Sequence, residues 1–88
     1  MKIEFDPDKS RQNIRNRSIS FELAELFEWE TALVWEDKRH DYGEARFCAL
    51  GYIGLRIHHL VFTLRGDRIR VISLRKANRR EVRKYAET

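Results

Sequence analysis

Three groups of side chains in this chain have the types and spacing to handle a phosphate group. Arg68, Arg70 and Arg75 sit in a run of β-branched residues, Arg68 to Arg75. Glu81 and Tyr85 follow one helical turn apart, with Ala77 one turn earlier, so they share a face if the segment is helical. Glu44 and Arg46 are two apart and share a face if theirs is a strand. Arginine suits phosphate because its planar fork matches the oxygens and stays charged. A carboxylate beside it can orient the guanidinium or act as a base. Each group also has a purely structural reading. Glu81 can form a partly buried ion pair with Arg75 or Arg46 that pins the helix. Tyr85 can close the edge of the core with its hydroxyl wet. Glu44 and Arg46 can be a surface charge pair of little energetic weight.

Period-two alternation places Arg68 and Arg70 on one strand face, and Ser73 and Arg75 on the other. The two sets meet one phosphate only if the strand ends, bulges or twists between them. The remaining candidates are weaker. His58 and His59 are adjacent in a strand and point to opposite faces, so they cannot converge as an acid–base pair. His40, beside Asp41 in a polar loop, is either a proton carrier or simply solvated. Trp29 and Trp35 fit core and core-edge positions; if exposed, one could stack on a base or anchor a partner. The one cysteine, Cys48, lies in an apolar run and reads as a small buried hydrophobe. No histidine or cysteine spacing suits a metal, and no glycine-rich phosphate loop is present, so no cofactor or metal is expected.

The charge is uneven. From residue 65 onward nine basic residues face three acidic ones, a net +6, whereas the whole chain carries only +4. A cationic end on a small unit points to a polyanion, nucleic acid first, or to nothing more than solubility. Residues 1–88 are expected to form one domain with one modest core. No apolar run is long enough for a membrane span, no signal peptide is evident at the N-terminus, and the location expected is cytoplasmic.

The elements that must position these groups are legible as caps and periods. Asp6-Pro7 starts a helix over about 7–17. Ser20 caps a second over about 21–29, with Phe21, Leu23, Ala24, Leu26 and Phe27 facing the core. The period then changes to two. Strands are expected at 32–36, 44–51, 55–64 and 68–75, with hairpin chemistry at Arg65-Gly66-Asp67. Asn78 caps a last helix running to about 87. The fold class is α+β: an antiparallel sheet of about four strands, two N-terminal helices and one C-terminal helix.

Four segments together carry a resemblance. They are Ile3-Glu4-Phe5-Asp6-Pro7-Asp8-Lys9 with Asn13; Ser20-Phe21-Glu22-Leu23-Ala24 with Phe27; Glu44-Ala45-Arg46-Phe47 with Gly51; and Arg68 to Ala77 followed by Glu81 and Tyr85. In this order and length the chain resembles BrnT, the ribonuclease toxin of BrnT/BrnA type II toxin–antitoxin systems. One departure is plain: the family usually has Lys-His-Gly after the first helix, where this chain has Asn16-Arg17-Ser18.

The resemblance implies a RelE-like fold, metal-independent endoribonuclease activity that inhibits translation, an RNA substrate, and a BrnA-like antitoxin that binds DNA, so that DNA is met only through the antitoxin. It singles out Arg70 and Arg75 for phosphate charge, with Glu44, Arg46, Glu81 and Tyr85 as supporting or acid–base groups. Metal-free cleavage needs a base for the 2′-hydroxyl, cations for the phosphoryl oxygens and an acid for the 5′-oxygen. The alternatives are a non-catalytic nucleic-acid-binding module and a protein-interaction module that presents the basic surface to an acidic partner.

Overall fold

The computed structural model describes residues 2–88. Four strands form an antiparallel meander: β2 (Leu33–Asp37), β3 (Arg46–Ile53), β4 (Arg56–Arg65) and β5 (Arg68–Lys76). Gly66 makes the tight β4–β5 turn at φ +62, a conformation that costs a side-chain-bearing residue strain. The expectation of about four antiparallel strands needs one correction. Lys2–Glu4 forms a fifth strand, β1, which pairs parallel to β5 at the sheet edge, so the sheet is mixed and ordered β1-β5-β4-β3-β2. Three residues are too few to show a period, and their partner lies more than sixty positions away, so local pattern does not reveal the pairing.

The helix α1 (Pro7–Arg17) starts as its caps dictate, with the Asp6 carboxylate accepting from the Asp8 N–H. It is held less by an apolar stripe than by two polar side chains. Ser10, buried, accepts from the Phe21 N–H at 3.0 Å. Asn13 donates to the carbonyls of Ile19 and Leu74, at 2.9 and 2.8 Å. The helix ends at Ser18, whose φ of 60 is left-handed. This is the position at which the resembled family has glycine, and the geometry gives the reason.

The second helix differs from expectation. It is a 3₁₀ helix over Phe21–Leu26, with three residues per turn. Phe21, Ala24 and Phe27 therefore align on the core side and are buried, whereas Leu23 and Leu26 align on another side and are exposed. An α-helical period would have buried all five. Phe27 packs so closely on β3 that a Cβ at Gly51 would lie 2.6 Å from its ring. The core lies between this 3₁₀ helix and one face of the sheet, where Ala49, Leu60, Phe62, Ile69, Val71 and Leu74 are buried.

The opposite face is covered only in part, by α2 (Arg79–Ala86). On it a bulge decides which arginines share a side. Ser73 pairs with Val61 and Val71 with Phe62, leaving Ile72 without a partner. Val71 and Leu74, three apart, thus both face the core, and Arg70, Ser73 and Arg75 all stand on the other face.

Candidate active site

The open sheet face holds a groove of about 390 Å³ lined by Trp35, Asp37, Arg39, Cys48, His59, Arg75 and Glu81, with Glu36 and Lys38 on its rim. Strand register builds it. Trp35 lies beside Cys48, and His59 beside Arg75. The helix α2 supplies the last wall.

Arg75 and Glu81 form its central pair. The two terminal guanidinium nitrogens each donate to one carboxylate oxygen, at 2.7 and 2.8 Å. Glu81 also closes the capping box of α2, accepting from the Asn78 N–H at 2.9 Å while its own N–H donates to the Asn78 side chain. The Arg75 hydrogen bonds first, then that of Asn78, hold the Glu81 carboxyl down at about 2 against an ordinary 4.5. One carboxylate therefore starts the helix and aims the arginine. A further, longer bond of 3.4 Å runs from the guanidinium to the Lys76 carbonyl, and the group keeps its other donors and its charge.

A second carboxylate is locked in the same manner. Asp37, buried at the end of β2, accepts from both the side chain and the backbone N–H of Arg39 and from the Tyr42 hydroxyl. The Arg39 bonds keep it ionised far below the usual carboxylate range. Lys84 from α2 lies 3.9 Å from the Trp35 ring centre, a cation held on an aromatic face.

His59 stands between these pairs, half-buried. Its Nε2 is 3.7 Å from Glu81 Oε2, its ring lies edge-on to Trp35, and its Nδ1 is buried with no hydrogen-bond partner. Burial, then the neighbouring Arg75 charge, pulls its pKa below the ordinary 6.5. The Cys48 thiol is pushed up, mainly by burial, in keeping with a buried small hydrophobe.

Of the six residues singled out in the sequence, the structure brings only Arg75 and Glu81 into this groove. Arg70 donates to Glu4 at 2.8 Å and ties β1 to β5. Glu44 accepts from Arg65 at 3.3 Å on the surface. Arg46 stacks on the Tyr42 ring at 4.2 Å, on the same face but beyond the groove, with its Nε buried and unpartnered. Tyr85 packs edge-on against Tyr52 and donates to the Thr31 carbonyl, fastening α2 to the segment before β2. His58 is buried, its Nδ1 2.9 Å from the Arg56 carbonyl oxygen, and His40 is exposed against Tyr42. Trp29 packs against the core through Phe27 and Phe62.

Sequence reasoning missed Asp37, Arg39 and Lys84 as parts of a site. It placed His59 on one strand face but not beside the arginine. The available signal was the buried parity of Leu60 and Phe62, which sends His59 to the other face. Among the described residues no group of three or more His, Cys, Asp or Glu side chains is placed to hold a metal ion, and no helix is long and apolar enough to cross a membrane.

No curated protein matches the chain. Its residues 5–81 match the family described as the ribonuclease toxin BrnT of type II toxin–antitoxin systems. That span contains all of the groove, including the Arg75–Glu81 pair, and on it the chain belongs to the BrnT ribonuclease toxin family.

Proposed function

We propose that this chain is an endoribonuclease toxin that cuts RNA without a metal ion in the groove on its open sheet face, and that it thereby inhibits translation. The observation that carries the reading is the two-bond clamp of Arg75 by Glu81 at the wall of a groove floored by an aromatic ring. A fixed guanidinium stabilises developing phosphoryl charge without reorganising during the reaction. Lys84, held on the Trp35 ring, adds a second cation beside it. The groove lining itself is balanced in charge. The surplus lies on the exposed Lys76, Arg79, Arg80 and Arg83, which steer the RNA backbone toward it.

In this reading Glu81 positions Arg75 and does not accept the proton, since both oxygens are taken and its pKa of about 2 makes it a poor base. Arg70, Glu44 and Tyr85 serve the fold, and Arg46 serves RNA outside the groove. A small cognate antitoxin, BrnA-like and DNA-binding, covers the basic face, works in the cytoplasm alongside the toxin, and supplies the only contact with DNA. A RelE-like architecture belongs to the same reading, supported by the sheet with its helices packed mainly on one face.

The test is cleavage of total RNA in EDTA by variants whose folding is checked by thermal melts. Wild type is expected to cut, Arg75→Ala to be severely slowed, and Arg83→Ala, exposed on the outside of α2, to keep the wild-type rate of the chemical step at saturating RNA. A protein inert in EDTA and active with magnesium contradicts the metal-free mechanism. An Arg75→Ala protein that melts as a folded chain and cuts at the wild-type rate contradicts the site.

A further inference from the structure

We propose that His59 is the general base of the groove, taking the 2′-hydroxyl proton of the cleaved ribonucleotide on Nε2. This inference rests on the reading of the groove as the RNA-cleaving site.

A base must have a free lone pair in the groove. Glu81 has both oxygens engaged by Arg75 and one also by Asn78. Asp37 is buried and accepts from Arg39 and Tyr42 on both oxygens. Glu36 alternates away from Trp35 and Asp37 and keeps its carboxylate at the exposed rim. The Tyr85 hydroxyl is bonded to the Thr31 carbonyl. The Cys48 thiol is pushed up by burial and stays protonated, which leaves His59, without a committed hydrogen bond at either ring nitrogen. The 3.7 Å from Nε2 to Glu81 is too long for one, and Nδ1 has no partner at all.

Its charge state fits the task. The groups acting on it are Arg75 from β5, Glu81 and Lys84 from α2, Cys48 from β3, Asp37 and Arg39 at the end of β2, and Arg17 at the end of α1, with Trp35 against its ring. Burial and Arg75 keep the imidazole neutral, and hence competent as a base, at neutral pH. With Nε2 bare the ring proton sits on Nδ1, and the proton taken from the 2′-oxygen adds an N–H at Nε2, on the side of the Glu81 carboxylate. A phosphate brought against Arg75 reverses this balance, and its negative charge stabilises the imidazolium as it forms.

In the step itself the 2′-oxygen gives its proton to Nε2 and forms a bond to phosphorus. The P–O5′ bond breaks, its electron pair goes to the 5′-oxygen, and that oxygen takes a proton from water while the imidazolium returns its own to water. The products are a 2′,3′-cyclic phosphate and a 5′-hydroxyl, with no net proton consumed.

Two measurements test the assignment. The first is the pH dependence of RNA cleavage by wild type, His59→Asn and Arg75→Ala. His59→Asn is expected to lose about 10²–10⁴-fold in rate and to lose the acid limb that wild type shows, while Arg75→Ala is slowed but keeps that limb. The second, on wild type alone, follows the His59 ring by NMR. Its pKa is expected to rise when inorganic phosphate is added, and without phosphate to match the acid limb of kcat/KM. A His59→Asn protein that cleaves within twofold of wild type with its acid limb intact overturns the inference, and the groove reading survives if Arg75→Ala is still slow. If both variants cut at the wild-type rate, the groove reading fails and the inference with it. Should His59→Asn not fold, the NMR arm decides: a ring indifferent to phosphate, with a pKa apart from the acid limb, overturns the assignment. Products with a 5′-phosphate also overturn it, because the 2′-oxygen is then not the nucleophile.

Discussion

The two faces of the sheet are held by different physics. On the packed face, Phe21, Ala24 and Phe27 of the 3₁₀ helix meet buried aliphatic and aromatic residues of β3, β4 and β5, with little but Ser10 and Asn13 to direct them. On the open face the side chains are arranged by ionic hydrogen bonds: Arg70 with Glu4, Arg39 with Asp37, Arg75 with Glu81. Apolar packing tolerates acid and salt, whereas ion pairs respond to both. The contrast assigns stability to one face and chemistry to the other. Each lesson can be broken separately.

The largest effect belongs to the open face. Arg75→Ala is expected to lower kcat/KM for RNA by about 10²–10³-fold, the scale for removing one oriented charge at a reacting phosphate. It also releases the Glu81 end of α2, so its melting temperature falls. Arg70→Ala loosens β1 and lowers the melting temperature without that loss of rate. Single-turnover cleavage beside calorimetry separates the two, and equal rate losses would erase the distinction between the ends of β5.

Next comes a lesion of the packed face. Gly51→Ala forces the Phe27 ring to shift from its 2.6 Å approach, at about 1–3 kcal/mol of stability. Its kcat at a temperature where it remains folded is expected to equal that of wild type. A rate loss as deep as that of Arg75→Ala would show that the faces are not separable.

Acid acts on the open face in a predictable direction. The Glu81 pKa is depressed from 4.5 to about 2 on folding, so its contribution is present above pH 4.5 and is lost as pH falls toward 2. His59, kept neutral by the fold, adds a loss in the same direction that begins below its ordinary 6.5, where the unfolded chain takes up a proton first. Glu81 is partly solvated, so its share is about 1–2 kcal/mol after screening. Melting temperature against pH should therefore fall less steeply below pH 4.5 for Glu81→Gln than for wild type, and should be unaffected in slope by Gly51→Ala.

The smallest effect is a gain. Ser18 occupies a left-handed helix end at φ 60, and Ser18→Gly is expected to add about 1 kcal/mol, read as a higher denaturation midpoint with unchanged cleavage. A loss of stability would mean that the serine side chain contributes more than the strain costs.

Much of this was legible in the chain because it is local. The caps at Asp6, Ser20 and Asn78 marked their helices, and the change to period two marked β2 to β5 within a residue or two. Three features were not legible, each for a physical reason. Parallel pairing of β1 joins segments with no local signature. The 3₁₀ helix shifts the period from 3.6 to 3.0, which exposes Leu23 and Leu26. The bulge at Ile72 inverts the facing of every later residue of β5, which is why Arg70 and Arg75 share a face although their spacing is odd. The Arg75–Glu81 pair was foreseeable as one of two partnerships. The neighbourhood of His59 was not, because it depends on register across three strands.

The most direct test of the central claim is to map where RNA sits. A short 2′-O-methyl RNA, which cannot be cut through its 2′-oxygen, is titrated into the protein and followed by NMR of backbone amides, the Trp35 indole and the arginine side chains. The account predicts that the largest shifts fall on Trp35, Arg39, His59, Arg75 and Lys84, with weaker ones at Arg46 and the outer arginines of α2. Shifts confined to α1, the 3₁₀ helix or the Arg70–Glu4 edge, with Trp35 and Arg75 unmoved, would contradict it.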